Sequence, residues 1–446
     1  MSDKLQHATT KNPRDVRMRG FRNRSSVAET LKWLNSTIAT LPGEHVPLYE
    51  AHQRVLAQSI ASPMNVPAFD RSAMDGYALI GEETTGATEF NPRSFSVIGQ
   101  SMPGTPFTGS VSPGSAIRIM TGAPIAEGAN CVVPVEFTRV TSSESTDARV
   151  EVIKAFAPEK NVGRTGEDVR QGDEILAAGR HLRPQDVGLL ASVGIDSVTV
   201  YRKPRVRIVV TGNELVETGQ ARDANQIFDS NTPMLRGLIA RDGGLLESVT
   251  RCTDDRDSIH AAMTDGDVDI VLVSGGTSVG SEDHAPSVLA DAGELAIHGI
   301  AMRPSGPAGM GRIVTGSVSR QVFLLPGNPV SCLCAYDFFA GQAVRQQQGL
   351  PSGWPYPIVS LPLATEIPSV VGRVDYCRVL IRDGKIEPLA VTGASRLSST
   401  VKGDGFVVIP ASSEGYAANT KIDAYQYDVC HQTTNAIPIS IEEAGQ

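Results

Sequence analysis

A chain of 446 residues corresponds to about three domains at roughly 150 residues each. Forty Lys and Arg against 49 Asp and Glu leave a net charge of −9, which excludes a generic nucleic-acid binder, and 41% hydrophobic residues exclude wholesale disorder. No stretch reaches the ~20 apolar residues of a membrane span, the first residues lack a signal-like apolar run, and the six cysteines form no Cys-x-x-Cys pair. These features fit a cytoplasmic protein with reduced thiols and neither membrane nor nucleic-acid partners.

Residues 1–25 carry seven Lys and Arg against two Asp and read as a solvated, disordered basic tail, with an anionic surface as the alternative contact. A helix follows. Val27, Leu31, Leu34 and Ile38 recur at helical spacing, and Ser26 with Glu29 forms a capping-box pattern. A second short helix is expected over 51–60. Residues 63–159 are rich in Pro and Gly, with short strand-like runs (SFSVIG, AIRIM, CVVPVEF, RVEVI), and read as an inserted β-rich domain. The polar stretch 141–147 reads as a hairpin loop. RPQDVGLLASVGI predicts a helix opening at Pro184 and stopping at Gly194. Residues 160–202 could then pack back on 26–62 as one segmented helical linker domain.

Over 203–350, strands and helices alternate. VRIVVTG, GLLESVT, DIVLVSGG and QVFLLPG read as strands, separated by helices in NTPMLRGLIARDG, DSIHAAMTD and APSVLADAG and followed by a long one in NPVSCLCAYDFFAGQAV. This alternation implies a parallel sheet in an α/β fold, with ligands bound beyond the carboxyl ends of the strands. After Pro351 the runs YPIVSLPLAT, DYCRVLI, KIEPLAV and GFVVIP predict a C-terminal β domain, read as a barrel, over 351–446. The fold class is therefore multidomain α/β plus β.

The segment SGGTSVGSED (274–283) ends a buried strand in two glycines, two hydroxyl residues and Gly280. Such a turn frees backbone N–H groups for a phosphate. It is neither a P-loop nor a dinucleotide fingerprint, and alone it is equally an ordinary tight turn. Asp283, Asp254 and Glu214 each follow a strand end and could converge near one rim. Carboxylates beside a phosphate loop imply a cation between them. Mg²⁺ takes such oxygens, and Zn²⁺ also tolerates them. Upstream, NVPAFDRSAMDGYAL and NVGRTGEDVRQGDEIL read as turns when each is taken alone.

The ordered set MDGYA, RIMTGAPI, GRTGEDVRQGD, TGNEL, DSNTPML, SGGTSVGSED and LPGNPVS resembles the molybdopterin molybdotransferase family, known as MoeA in bacteria and as the E domain of gephyrin in animals. The resemblance covers about residues 26–430. It implies four domains: a segmented helical linker, an inserted β domain, a molybdopterin-binding α/β domain and a C-terminal β barrel. It also implies insertion of molybdate into adenylylated molybdopterin with Mg²⁺-dependent release of AMP. The expected assembly is a homodimer whose active sites lie between the α/β domain of one subunit and the inserted domain of the other. The adenylyltransferase of the same pathway is the implied protein partner.

Carried over by motif, Asp75, Thr121, Asp168, Glu214, Asp254 and Asp283 are the expected catalytic set, with Asp75, Glu214 and Asp283 as metal ligands. Gly275, Gly276, Ser278 and Gly280 would cradle the pyrophosphate, and Ser230 and Asn231 would place nucleotide or pterin. For molybdate, a tetrahedral dianion, the candidates are Arg303, Ser331, Arg378 and Ser399. Two segments depart from the family pattern. RPSGP (303–307) carries Gly306 where a second lysine is usual, and KGDGF (402–406) replaces the usual Ala-Asn pair. Arg303 or Arg312 could supply the missing charge, or molybdate affinity is lower. A weakened paralogue that binds molybdopterin as a scaffold, and an adenylylating enzyme, are the competing readings.

Overall fold

The computed structural model describes residues 21, 24–142, 148–278, 280, 283–316 and 318–427. They form two compact units, residues 43–200 and the remainder of the chain. Among the described residues no helix is long and apolar enough to cross a membrane.

The larger unit is built on a six-stranded sheet: β1 (Arg205–Thr211), β2 (Leu245–Cys252), β3 (Ile270–Ser274), β4 (Glu294–His298), β5 (Gly309–Thr315) and β6 (Val318–Leu325), in the order β2-β1-β3-β6-β5-β4. The first four strands in that order are parallel, as the strand–helix alternation predicts. β5 and β4 extend the sheet antiparallel, an addition the sequence reading lacks. Both faces are covered, so β1 and β3 are continuous apolar runs. Val206, Ile208, Val210, Ile270 and Leu272 pack on one face against helices Asn231–Arg241 and Pro329–Gln347. Val209, Val271 and Val273 pack on the other against Arg256–Thr264 and Ala285–Ala292. The long helix from Pro329 is continuous through a π-turn at Tyr336–Ala340.

The helix Val27–Thr37 forms with its capping box: Ser26 Oγ accepts from Glu29 N, and Glu29 accepts from Ser26 N at 2.8 Å. Its buried Val27 and Leu34 join the core of the α/β sheet rather than a linker core. Downstream, strands Ile358–Pro362, Val374–Arg382, Lys385–Ala390, Gly405–Ile409 and Lys421–Gln426 pair antiparallel. A Leu363–Ile386 bridge joins the end of the first back to the third, closing a small barrel around Leu363, Cys377, Val379, Ile386, Val407 and Ile422. Tyr376 and Phe406 leave that interior and pack into the α/β core, Phe406 stacked on Tyr376 at 4.5 Å.

Residues 43–200 hold a second six-stranded sheet, ordered Cys131–Pro134, Gly76–Leu79, Ser115–Ile119, Arg93–Ser101, Arg149–Val152 and Thr138–Ser142. This is the expected β-rich region. The predicted hairpin loop lies mostly outside the described residues. A separate small core gathers Val46, Leu48, Leu56, Leu182, Leu190 and Val200 around the helix Pro184–Ser192, which stops before Gly194 at φ +78° as predicted.

The helix expected over 51–60 is absent. Instead, Gln53 N, Leu56 N and Ala57 N donate to the carbonyls of Leu182, Arg180 and Thr199, and Gln53 adopts φ +62°. Pairing with distant segments satisfies this backbone better than a local helix would, and tertiary context overrides propensity.

Candidate functional site

The carboxyl ends of β1, β3 and β6 open into one cleft of about 650 Å³. It lies where an open parallel sheet offers freed backbone groups. Its wall includes Thr211, Gly212 and Glu214 after β1, Ser274 to Ser278 after β3, and Pro326 to Pro329 after β6. Ser230, Asn231, Asp254, Asp283 and Pro307 complete much of it, and Ser395 reaches it from the barrel.

A two-glycine turn sets its floor. Gly275 and Gly276 sit at φ +93° and +59°. A Cβ on Gly275 would lie 2.4 Å from the Thr211 carbonyl, and one on Gly276 2.7 Å from Thr211 Oγ1. Only glycine permits both the left-handed turn and this approach. Asn231 ties the floor together, donating from Nδ2 to Ser274 Oγ (3.0 Å) and to the Gly327 carbonyl (2.8 Å). Its Oδ1 and Thr211 Oγ1 are buried without partners, polar atoms poised for a ligand.

Among the described residues four carboxylates line the cleft: Glu214, Asp229, Asp254 and Asp283. Asp254 Oδ2 accepts from Asn213 N at 3.0 Å, and Asp283 Oδ2 accepts from Gly280 N at 2.6 Å, folding the loop back on itself. Asp229, absent from the expected set, caps the helix Asn231–Arg241 by accepting from Asn231 N and Thr232 N, and it pairs with Arg251 at 3.0 Å. Its signal is the aspartate of DSN three residues before Thr232, an N-cap spacing. None of the described lining residues is Lys or Arg. Among the described residues no three carboxylate, His or Cys side chains cluster closely enough to cage a metal by themselves.

The thiols are chemically quiet. Burial pushes the Cys332 and Cys377 thiols up to about 12, and no disulfide joins the five described cysteines.

The expected oxyanion residues divide. Arg378, wholly buried, points Nε at Ser399 Oγ (3.2 Å), so these two are together under the Thr392–Ser399 loop that carries Ser395 to the cleft. Arg303 does not line the cleft: its Nη2 is held by the buried Asp375 at 2.6 Å. Ser331 is buried beneath, its carbonyl accepting from Ser305 Oγ at 2.5 Å. Arg312 pairs with Glu294 at 2.8 Å.

In the other unit, Asp75 Oδ1 accepts from both the amide (2.7 Å) and the hydroxyl (2.8 Å) of Thr121. These bonds hold the exposed Asp75 carboxyl below the usual range, and so keep it ionised. Asp168 is exposed on a loop, its amide bonded to the Val66 carbonyl. Asp70, not anticipated, anchors that region: it accepts from Thr165 N and Oγ1 at 2.8 Å and pairs with Arg164 at 2.5 Å. FDRSAMDG contains both aspartates, and only Asp75 precedes a glycine, the turn signal that marks it in the sequence.

Fold and cleft together define a multidomain α/β protein with an acidic, glycine-floored cleft at the carboxyl edge of its sheet. The comparisons with known proteins agree. The MoeA N-terminal region (domain I and II) matches residues 25–194, a probable molybdopterin binding domain matches 207–346, and the MoeA C-terminal region (domain IV) matches 360–427. The molybdopterin molybdenumtransferase of Haemophilus influenzae is 34% identical over 86% of this chain and 93% of its own. A putative molybdopterin biosynthesis protein of Methanocaldococcus jannaschii is 34% identical over 86% and 92%. The solved molybdopterin biosynthesis MoeA protein of Pyrococcus horikoshii superposes with a TM-score of 0.75 at 31% identity, over 91% of this chain and all of that one. The chain belongs to the molybdopterin molybdenumtransferase (MoeA) family, enzymes of molybdenum-cofactor biosynthesis.

Proposed function

We propose that the protein inserts molybdate into adenylylated molybdopterin with divalent-cation-dependent release of AMP. One observation carries the reading: Glu214, Asp254 and Asp283 line, with a glycine turn, a cleft whose described lining holds no basic residue, while the fourth lining carboxylate, Asp229, is already paired with Arg251. Phosphates enter such a site only with a cation between them and the carboxylates. The donors are hard oxygens, and Mg²⁺ characteristically takes one or two carboxylates plus substrate phosphates rather than a full protein cage. The residues present therefore fit Mg²⁺, with Glu214 and Asp283 as the holders, Asp254 beside them, and Asp75 as the ligand family membership adds. When bound, the ion polarises the phosphoanhydride toward cleavage.

The chain's own groups do the positioning. The turn at Gly275 and Gly276, with Ser278 and Gly280, receives phosphate oxygens. Ser230 and the unpartnered Oδ1 of Asn231 orient nucleotide or pterin. Arg378 and Ser399 receive molybdate. Arg303 and Ser331, held by other partners, support the wall. In the homodimer, one copy's Asp75, Thr121 and Asp168 serve the other copy's cleft, a part of the proposal that rests on family membership. The proposed domains are 26–62 with 160–202, 63–159, 203–350 and 351–446, with the first helix transferred to the α/β core.

The test is AMP release from adenylylated molybdopterin by the purified full chain, with and without molybdate and Mg²⁺. Release that requires both supports the reading. Tight binding without turnover, the behaviour of a scaffold, or consumption of ATP, that of an adenylylating enzyme, overturns it.

A further inference from the structure

The segment before the first helix is stitched to the α/β unit beside the cleft. Ser25 N donates to the Gly299 carbonyl at 3.0 Å, and Ala301 N donates to the Ser25 carbonyl at 2.8 Å, a parallel bridge. Phe21 meets His298 edge-on at 5.0 Å and occupies space that is open only because residue 299 is glycine: a Cβ there would lie 2.3 Å from the ring. His298 Nε2 in turn bonds the carbonyl of Thr277, which lines the cleft. The end of the expected tail is thus part of the folded unit.

These contacts fix Arg24. Its guanidinium lies 5.8 Å from the Phe21 ring centroid, and its Nη1 sits 3.8 Å from where a Cβ on Gly306 would be. Gly306 precedes Pro307, which lines the cleft. Arg24 is exposed and has no carboxylate partner among the described residues. Arg303, three residues before Gly306, is already committed through its Nη2 to Asp375. A long side chain at 306 and the Arg24 guanidinium would compete for one space.

We infer that Arg24 recognises a tetrahedral oxyanion group at the Pro307 side of the cleft, the cation that Gly306 itself does not provide. The inference rests on the proposed molybdate-inserting reading for the identity of that anion, which is either free molybdate or a phosphate of the adenylylated substrate. A guanidinium suits either, since it donates two parallel charge-assisted hydrogen bonds to such an anion. Positive charge there also offsets Glu214, Asp254 and Asp283, the lining carboxylates without an arginine partner among the described residues, which alone would repel any anion.

The experiment uses the full chain as wild type, Arg24→Ala, Arg24→Lys and the double variant Arg24→Ala with Gly306→Lys. Gly306 is not in the left-handed region, and the nearest backbone atom to its would-be Cβ is 3.5 Å away, so it accepts a side chain once Arg24 is truncated. Half-saturating molybdate and half-saturating nucleotide are each measured in AMP release. Arg24→Ala is expected to raise one of the two about tenfold, molybdate if the anion is free and nucleotide if it is the substrate phosphate. Arg24→Lys should retain most of the affinity, and the double variant should recover it. Unchanged half-saturation for both in Arg24→Ala, or no recovery by the lysine at 306, overturns the inference. If wild type releases no AMP, the molybdate-inserting reading fails by itself. Calorimetry with molybdate and, separately, with AMP then decides for Arg24: about tenfold weaker binding of either one by Arg24→Ala upholds its role, and equal affinity for both overturns it.

Discussion

Arg378 is fully buried, yet one of its guanidinium nitrogens has no partner: Nε reaches Ser399 Oγ at 3.2 Å, Nη2 reaches the Thr392 carbonyl at 2.5 Å, and Nη1 is left over. A buried charged donor without an acceptor is unfavourable by about 1–3 kcal/mol or more. An anion delivered under the Thr392–Ser399 loop would remove that penalty and satisfy the charge. This is the physical reason to read the Arg378–Ser399 pair as the molybdate end of the site.

Ser399→Ala should therefore raise half-saturating molybdate about tenfold, the loss of one hydrogen bond to a charged group, and leave half-saturating nucleotide near wild type. Because Ser399 Oγ is the acceptor of the buried Arg378 Nε, the variant should also lose about 1–3 kcal/mol of stability, so the titrations are run well below its melting temperature. Titrating AMP release with molybdate checks it. A molybdate curve that superimposes on wild type removes Ser399 from oxyanion recognition.

Asp283→Asn separates charge from loop geometry. The Asp283 carboxylate accepts from Gly280 N at 2.6 Å, and an asparagine carbonyl can keep that bond while losing the negative charge. Half-saturating Mg²⁺ should rise about 10- to 100-fold, the size of effect expected when a metal's supporting group is altered, with melting near wild type. A Mg²⁺ dependence identical to wild type would place Asp283 in the loop alone.

Much of this was legible in the sequence because the signals were local. β1 and β3 announced themselves as unbroken apolar runs, the Ser26–Glu29 box marked a helix start, and Gly275–Gly276 after a strand marked the floor of the cleft. The antiparallel β4 and β5 were not legible although their partners are near in the chain, Thr315 facing Val318 and His298 facing Gly309: Gly309 and Gly311 interrupt β5, and glycine is depleted in strands. Residues 51–60 misled for a different reason: their amides bond segments more than a hundred residues away. Arg303 looked like an oxyanion ligand, but the buried Asp375 that claims it is 72 residues distant. Arg24 gave no signal at all, because its place depends on a two-residue bridge to Gly299–Ala301.

Asp186 tests the smaller core. It is 4% exposed, accepts from Arg183 N at 2.9 Å at the start of the helix Pro184–Ser192, and pairs with Arg183 and Arg180. The Arg183 bonds first, then Arg180, hold its carboxyl far below the ordinary value. The unfolded carboxyl titrates near ~3.9, so the depressed folded value stabilises the protein fully above about pH 5 and progressively less as pH falls toward the folded value. Asp186→Asn should lower stability by about 1–2 kcal/mol at neutral pH, since both arginines are partly exposed and their charge is screened. Denaturant melts should show the gap to wild type shrinking below pH 4. A gap that stays constant down to pH 2.5 would assign the effect to packing instead.

Gly76 is required for a different reason from the cleft glycines. It does not lie in the left-handed region; it sits in the buried strand Gly76–Leu79 between Ser115–Ile119 and Cys131–Pro134, opposite both Ile119 and Pro134. A Cβ there would lie 1.9 Å from the Val133 carbonyl oxygen, a backbone atom that cannot swing away. The close approach also sets Asp75, whose carbonyl accepts from Val135 N at 3.0 Å while its carboxylate binds Thr121 just past Ile119. Gly76→Ala must separate these strands or twist Asp75 off Thr121. The expected loss is at least the ~1–3 kcal/mol typical of overpacking, with amide exchange accelerated in Gly76–Leu79 and Cys131–Pro134 and the α/β strands β1 and β3 still protected. Wild-type protection across those two strands in the alanine variant would show that the sheet absorbs the methyl group and that the Asp75–Thr121 contact does not depend on glycine.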